Sequence, residues 1–255
     1  MHRTRSLTAS FVFALTAVAG AASAQDAALS KPSAAQAALP TVDEIIAKNL
    51  QAKGGAAKWQ SVKSVKMTAQ GIEMPLTVYA MRPNFNRQEI TMAAGKAIQA
   101  FDGTTAWVVN PMLGIETPQA VPGPAAEVAK NSADFDGALI NYKAKGNDIE
   151  LVGKEQLEGK DVYHLKVTSK GGPVQHYLLD ADSGIELRMS AEVELGSGQK
   201  QTLTTAMSNY KQVDGIMIPH TVTQTAGGRT LLQWTITTVE FNTVPDDSIF
   251  RLPKQ

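Results

Sequence analysis

Downstream of Val62, apolar and polar positions alternate with a period of two over most of the chain; a clear helical period runs only from residue 42. Thr41 and Glu44 stand at capping-box spacing, Val42, Ile45, Ile46 and Leu50 follow three or four apart, and Gly54-Gly55 supplies a stop. This predicts an amphipathic helix of about three turns, then a short helical turn around residues 56–60. The alternation then reads Val65, Met67, Ala69; Leu76, Val78, Ala80; Ile90, Met92. Asp102-Gly103 is a hairpin signal ahead of a strand over Thr105–Asn110. Residues 111–147 break the rhythm with Pro111, Pro118, Pro122 and Pro124, and a short helix is expected at Ala125–Lys130.

Strands resume at Asp148–Val152, Val162–Thr168, Val174–Asp180, Ile185–Glu194, Lys200–Tyr210, Met217–Thr225 and Leu231–Phe241. Turn signals such as Ser183-Gly184 and Asp214-Gly215 separate them. The count is about eleven strands and two or three helices. Short connections make neighbouring strands antiparallel, and an open sheet of this size curls. The expected class is mainly β with a few helices (α+β): a large curved antiparallel sheet forming an unclosed half-barrel with a helical lid. The covers available for its apolar inner face are the helix at 42–50 and the proline-rich insert at 111–135. A β-sandwich competes, but gives no role to an amphipathic helix.

Composition adds a compartment. Arg3 and Arg5, the apolar run Leu7–Gly20 and the small residues Ala22-Ser23-Ala24 read as a signal peptide cleaved near Ala24/Gln25. The expected organisation is a leader over 1–24, a flexible tether over 25–40 and one folded domain over 41–255, exported to the periplasm as a soluble protein. The sequence has no cysteine, which excludes disulfides, thiolate metal sites and a lipidated cysteine after cleavage. Without Arg3 and Arg5, 22 basic residues face 24 acidic ones, a balance of −2 that gives nucleic acid no purchase.

The search for catalytic chemistry returns little. His164, His176 and His220 lie on separate expected strands without ligand spacing. Asp180–Gly184 resembles a calcium loop only faintly and reads better as a strand end entering a turn. Asp134 and Asp136 have no evident base, nucleophile or metal partner. No catalytic residue, metal or cofactor is therefore expected. The nine methionines suit either core filling or a surface that meets variable apolar ligands.

Two stretches carry a resemblance. Arg82-Pro83-Asn84-Phe85-Asn86-Arg87 is followed by Asp102-Gly103-Thr104-Thr105-Ala106-Trp107-Val108-Val109-Asn110-Pro111. Their order resembles the outer-membrane lipoprotein carrier family of LolA/LolB type, most strongly over residues 41–135. Val213-Asp214-Gly215-Ile216-Met217-Ile218-Pro219 and the closing Asp246–Pro253 are similar to longer variants named as lipoprotein-sorting proteins. The resemblance implies an unclosed barrel lidded by helices and a hydrophobic cavity for acyl chains, without hydrolysis. It also implies that Arg82 hydrogen-bonds the lid in the closed state. Partners would be lipoprotein acyl chains or lipid, and inner- and outer-membrane lipoprotein-trafficking proteins.

The expectation is thus a periplasmic carrier. Val65, Met67, Val78, Ile90, Met92, Trp107 and Met112, with Arg82, form the lipid site, and Val42, Ile45, Ile46 and Leu50 the lid. An envelope sensor or adaptor of the same fold is the second reading, an envelope hydrolase the third.

Overall fold

The computed structural model describes residues 39–254 apart from 72–73, 171–173 and 196–198. The expected leader, and the tether up to residue 38, lie outside the described residues.

Helix α1 (Val42–Ala52) starts where the capping box places it. The Thr41 side chain accepts from the Glu44 amide, and the Glu44 carboxylate accepts from the Thr41 amide. A six-residue helix α2 (Ala56–Ser61) follows. Six strands come next: β1 (Ser64–Gln70), β2 (Pro75–Met81), β3 (Phe85–Met92), β4 (Gly95–Asp102), β5 (Ala106–Asn110) and β6 (Ile115–Ala120). Helices α3 (Pro124–Ser132) and α4 (Tyr142–Lys145) interrupt them. Seven more strands complete the chain: β7 (Asp148–Leu157), β8 (Lys160–Thr168), β9 (Val174–Asp180), β10 (Glu186–Leu195), β11 (Gln199–Val213), β12 (Ile216–Ala226) and β13 (Arg229–Phe241).

All thirteen strands form one sheet in the order β6-β5-β4-β3-β2-β1-β13-β12-β11-β10-β9-β8-β7, with every neighbour antiparallel. Two meanders are thus joined back to back by the β1–β13 pair. The sheet does not close: β6 and β7 are its two edges. This is the expected unclosed half-barrel, with more strands than the pattern indicated. Strand β6 was not expected, because Pro111 and Pro118 mask its alternation; Pro118 is tolerated on an edge strand, where no ladder bond is lost.

The chain between the two edges, residues 121–147, forms a strap carrying α3 and α4. Its first helix packs on β4 and β5 through a buried cluster of Phe101, Ala106, Ala129 and Ala133. Its second packs on β7 at the opposite edge.

Helix α1 seals part of the same inner face. Ile45, at 2% exposure, and Ile46 pack with Leu139, Ile149, Leu165, Val167, Tyr177 and Leu179. Its far side is anchored to the β9–β10 turn: the Lys48 ammonium donates to the Ala181 carbonyl (2.7 Å) and the Asn49 side-chain amide to the Gly184 carbonyl (2.8 Å). Lys53 pairs with Glu186 at 2.7 Å. The turn after α1 docks on the turn at Asp214-Gly215, where a Cβ on Gly54 would lie 2.3 Å from the Gly215 carbonyl oxygen. Only glycine allows that approach.

Candidate functional site

Between the α1-covered end of the sheet and the α3-covered end lies a cavity of about 1160 Å³. Strand alternation puts one apolar set on its floor: Met67 and Ala69 of β1, Leu76 and Val78 of β2, Val222 of β12, and Trp234 and Ile236 of β13. The register confirms a shared face, with Met67 opposite Val78 and Ala69 opposite both Leu76 and Ile236. The strap forms the roof, contributing residues 127–132, Asp134, Gly137, Ala138 and Lys145. Among the described residues, the charged members of the wall come from the strap and from Lys170 beside the β8–β9 connection; the strand residues in the wall carry none.

Arg82 sits at the end of β2, where the sheet, α2 and the strap meet. Its Nε donates to the Val62 carbonyl (2.7 Å) and Nη2 to the Trp59 carbonyl (3.2 Å). Its Nη1 lies 2.7 Å from Asp136 Oδ1, and the guanidinium rests 4.4 Å from the centroid of the Phe135 ring. Asp136 also accepts from the Trp59 indole at 2.8 Å. One arginine therefore ties the strand end to α2 and to the strap at residues 135–136. The two carboxylates that lacked partners in sequence have them here: Asp136 holds Arg82 and Trp59, and Asp134 holds Lys145 at 2.6 Å.

The expected lining residues divide three ways. Met67 and Val78 line the cavity. Val65, Ile90 and Met92 occupy the same inner face by register, with Ile90 opposite Leu76, but lie outside the cavity wall. Trp107 and Met112 do not belong to it. Trp107 pairs with Ala100 on the outer face and is 1% exposed. Its indole donates to the Phe250 carbonyl (2.6 Å) and its ring lies under Arg87, whose Nη1 donates to the Ile249 carbonyl (2.7 Å). The C-terminal turn thus seals the outer face of β3–β5, joining two of the motifs that carried the resemblance. Met112 projects from a 3-10 turn, 67% exposed.

The expected lid is also corrected in position. Ile45 and Ile46 cover the inner face over β7–β9, with Val42 packed against the same cluster; none of Val42, Ile45, Ile46 and Leu50 lines the cavity. The roof is the strap, whose first half belongs to the proline-rich cover expected at 111–135. Sequence reading missed the far wall: Gln175, Tyr177, Met189, Leu203, Thr205, Val222 and Gln224. The alternation 203/205 and 222/224 was a usable signal, but which face met solvent could not be assigned without the strand order.

His164 and His176, on β8 and β9, meet on the outer face, with Nε2 of one 2.8 Å from Nδ1 of the other. Burial, followed by the neighbouring His164 and Lys166, holds His176 below the usual histidine range. Tyr177, enclosed in the α1 cluster, is pushed well above the ordinary phenol range by burial. Among the described residues no group of three or more His, Asp or Glu is placed to hold a metal. No helix among them is long and apolar enough to cross a membrane.

No protein-family model matches this sequence, and no curated protein matches it. Solved structures do. A LolA superfamily protein from Nitrosomonas europaea aligns over 84% of this chain and 98% of its own, with 16% identity and a TM-score of 0.54. A domain named for outer membrane lipoprotein sorting, from Vibrio parahaemolyticus, aligns over 82% and 97% with 16% identity and a TM-score of 0.54. A DUF1329 family protein from Desulfovibrio piger aligns over 82% and 97% with 14% identity and a TM-score of 0.58. At such identities the likeness speaks for architecture, and the architecture of this chain is that of the LolA/LolB-like fold.

Proposed function

We propose that this chain is a periplasmic binding protein or carrier that shelters acyl chains of a lipid or lipoprotein beneath the strap, without chemistry of its own. The observation that carries the reading is the cavity: an apolar floor of Met67, Leu76, Val78, Trp234 and Ile236, left uncovered by α1 and roofed by a segment fastened through Arg82. Its size, about 1160 Å³, suits a lipid rather than a small metabolite. A sixteen-carbon chain gains on the order of 12 kcal/mol by burial at about 0.8 kcal/mol per CH₂. The hydrogen bonds of Arg82 contribute about 1.5–3 kcal/mol each at most. Arg82 then holds the strap closed over an empty cavity and yields when a chain enters. The leader-like N-terminus supplies the compartment, and lipoprotein-trafficking proteins of the two membranes are the partners this role calls for.

Native mass spectrometry with lipid extraction, on protein purified from the periplasm, tests the reading. Bound lipid or acylated protein supports it. A clean apo mass, with no uptake of added acylated peptide, overturns it in favour of a protein-binding adaptor. The Val78→Glu variant should keep its fold by circular dichroism and lose the co-purifying lipid; retained lipid would remove Val78 from the site.

A further inference from the structure

Resting on that reading of the cavity, we infer that its ligand brings uncharged hydrogen-bonding groups (ester, amide or hydroxyl) inside the cavity together with its chains. The wall is not uniformly apolar. On one flank of the central apolar strands, Asn86 and Gln88 of β3 and Gln99 of β4 line it; on the other, Gln175 of β9, Thr205 of β11 and Gln224 of β12. These are aligned by the ladder: Gln88 stands directly opposite Gln99, and Thr205 opposite Gln224. Gln88 is also directly opposite Val78, so each amide band abuts the apolar strip.

Their hydrogen bonds to one another are weak. Gln88 Nε2 lies 3.4 Å from Asn86 Oδ1, and Gln224 Nε2 lies 3.4 Å from Thr205 Oγ1, both at the long limit of a hydrogen bond. A glutamine amide has two donors and two acceptor lone pairs, so most of this capacity faces the cavity. A ligand of bare methylenes would strip water from these groups and return nothing. Carbonyl and hydroxyl groups between or beside the chains would replace that water bond for bond. The sheet part of the wall offers an ionised group no such match, since the strands place no charge there and burying an unpaired charge is costly; the charges of the wall stand on the strap and at Lys170, at its rim beside the β8–β9 connection. The carboxylates and ammoniums at the roof pair with each other instead, Asp134 with Lys145 at 2.6 Å and Glu127 with Lys130 at 3.5 Å. The ligand class is an acylated molecule whose linkages are neutral, whether the acylated body is a sugar or a peptide.

The test is a competition titration of the full chain against three probes below their critical micelle concentrations: dodecyl maltoside, a dipalmitoylated lipopeptide and dodecylphosphocholine. The wild type should bind dodecyl maltoside about tenfold more tightly than dodecylphosphocholine, a ratio worth one to two neutral hydrogen bonds. The Gln88→Met/Gln224→Met double variant should lose that preference while still binding dodecylphosphocholine at least as well. If the double variant fails to fold, the single variants Gln88→Met and Gln224→Met carry the same comparison. The lipopeptide separates sources: a larger fold-loss of its affinity in the double variant than of the maltoside's points to a peptide body, and a larger loss for the maltoside to a sugar. Equal affinities for maltoside and phosphocholine in the wild type, or a ratio untouched by the variants, overturns the inference and leaves acyl-chain sheltering intact. Binding of none of the three overturns both.

Discussion

The inner face of this sheet meets two different fates. Over β7–β9 it is sealed by α1: Ile45, Leu165, Val167 and Leu179 are almost wholly buried in one continuous cluster. Over β1, β2 and β13 the same face, with the same alternation, stays half-buried against a cavity, where Met67, Leu76, Val78 and Ile236 wait for a covering. The first region behaves as a core, already repaid for its apolar surface. The second carries apolar side chains that the fold leaves half-covered. Alternation along a strand therefore identifies a face, and the element laid upon it decides whether that face is structure or site.

The largest expected effect separates these regions directly. Ile45→Ala removes a side chain that is 2% exposed and should cost about 2–5 kcal/mol in urea unfolding. Leu76→Ala, on the cavity floor, should cost less than about half of that without ligand, because its far side is already open. Equal costs would mean that the two regions are one core. Next comes the fastening of the strap. Arg82→Ala deletes three hydrogen-bonded contacts, those to Val62, Trp59 and Asp136, and should lower stability by about 1.5–3 kcal/mol. Hydrogen exchange should accelerate over residues 133–140 and stay unchanged over β7–β9; uniform acceleration would show that Arg82 acts on the whole fold.

The capping box starts the helix that seals β7–β9 and lines no part of the cavity. Thr41→Ala should destabilise it by about 1 kcal/mol and leave probe binding at the cavity unaltered, read by thermal melting and titration in parallel. The smallest effect concerns pH. Because His176 is held below the ordinary histidine value of 6.5, the unfolded chain takes up protons first as the pH falls. The stability this site contributes is complete above that value and declines as pH drops through 6.5 and below. His176→Gln should flatten this slope between pH 7 and 5 in denaturant titrations, and an unchanged slope would place the proton uptake elsewhere.

How much of this could be read in the sequence follows the same division. Helix α1 was legible because its cap and its stop are local: Thr41 and Glu44 bond each other, and Gly54 is required by contact with Gly215. The hairpins were legible because their turns are written in Asp-Gly and Ser-Gly. Trp107 was misassigned because Ala106-Trp107-Val108-Val109 is apolar on both faces, so periodicity gives no phase. The deciding partner, Phe250, lies 143 residues away. The strap was legible in part: the prolines mark residues 111–135 as a cover, but its span from one sheet edge to the other, out to residue 147, depends on β6 and β7 being opposite edges, a property of strand order that no local pattern encodes. The glutamines of the wall give no signal in sequence, because an amide on a strand ordinarily faces water.

An unclosed sheet keeps two edges, and each is a template on which another chain could add a strand. Here both are spoiled in place. Edge strand β6 carries Pro118, which offers no amide to a newcomer, and β7 is thrown out of register between Leu151 and Gly153, breaking the straight line of donors that pairing needs. The sheet can thereby stay open without its edges becoming a seam along which copies of the protein could polymerise.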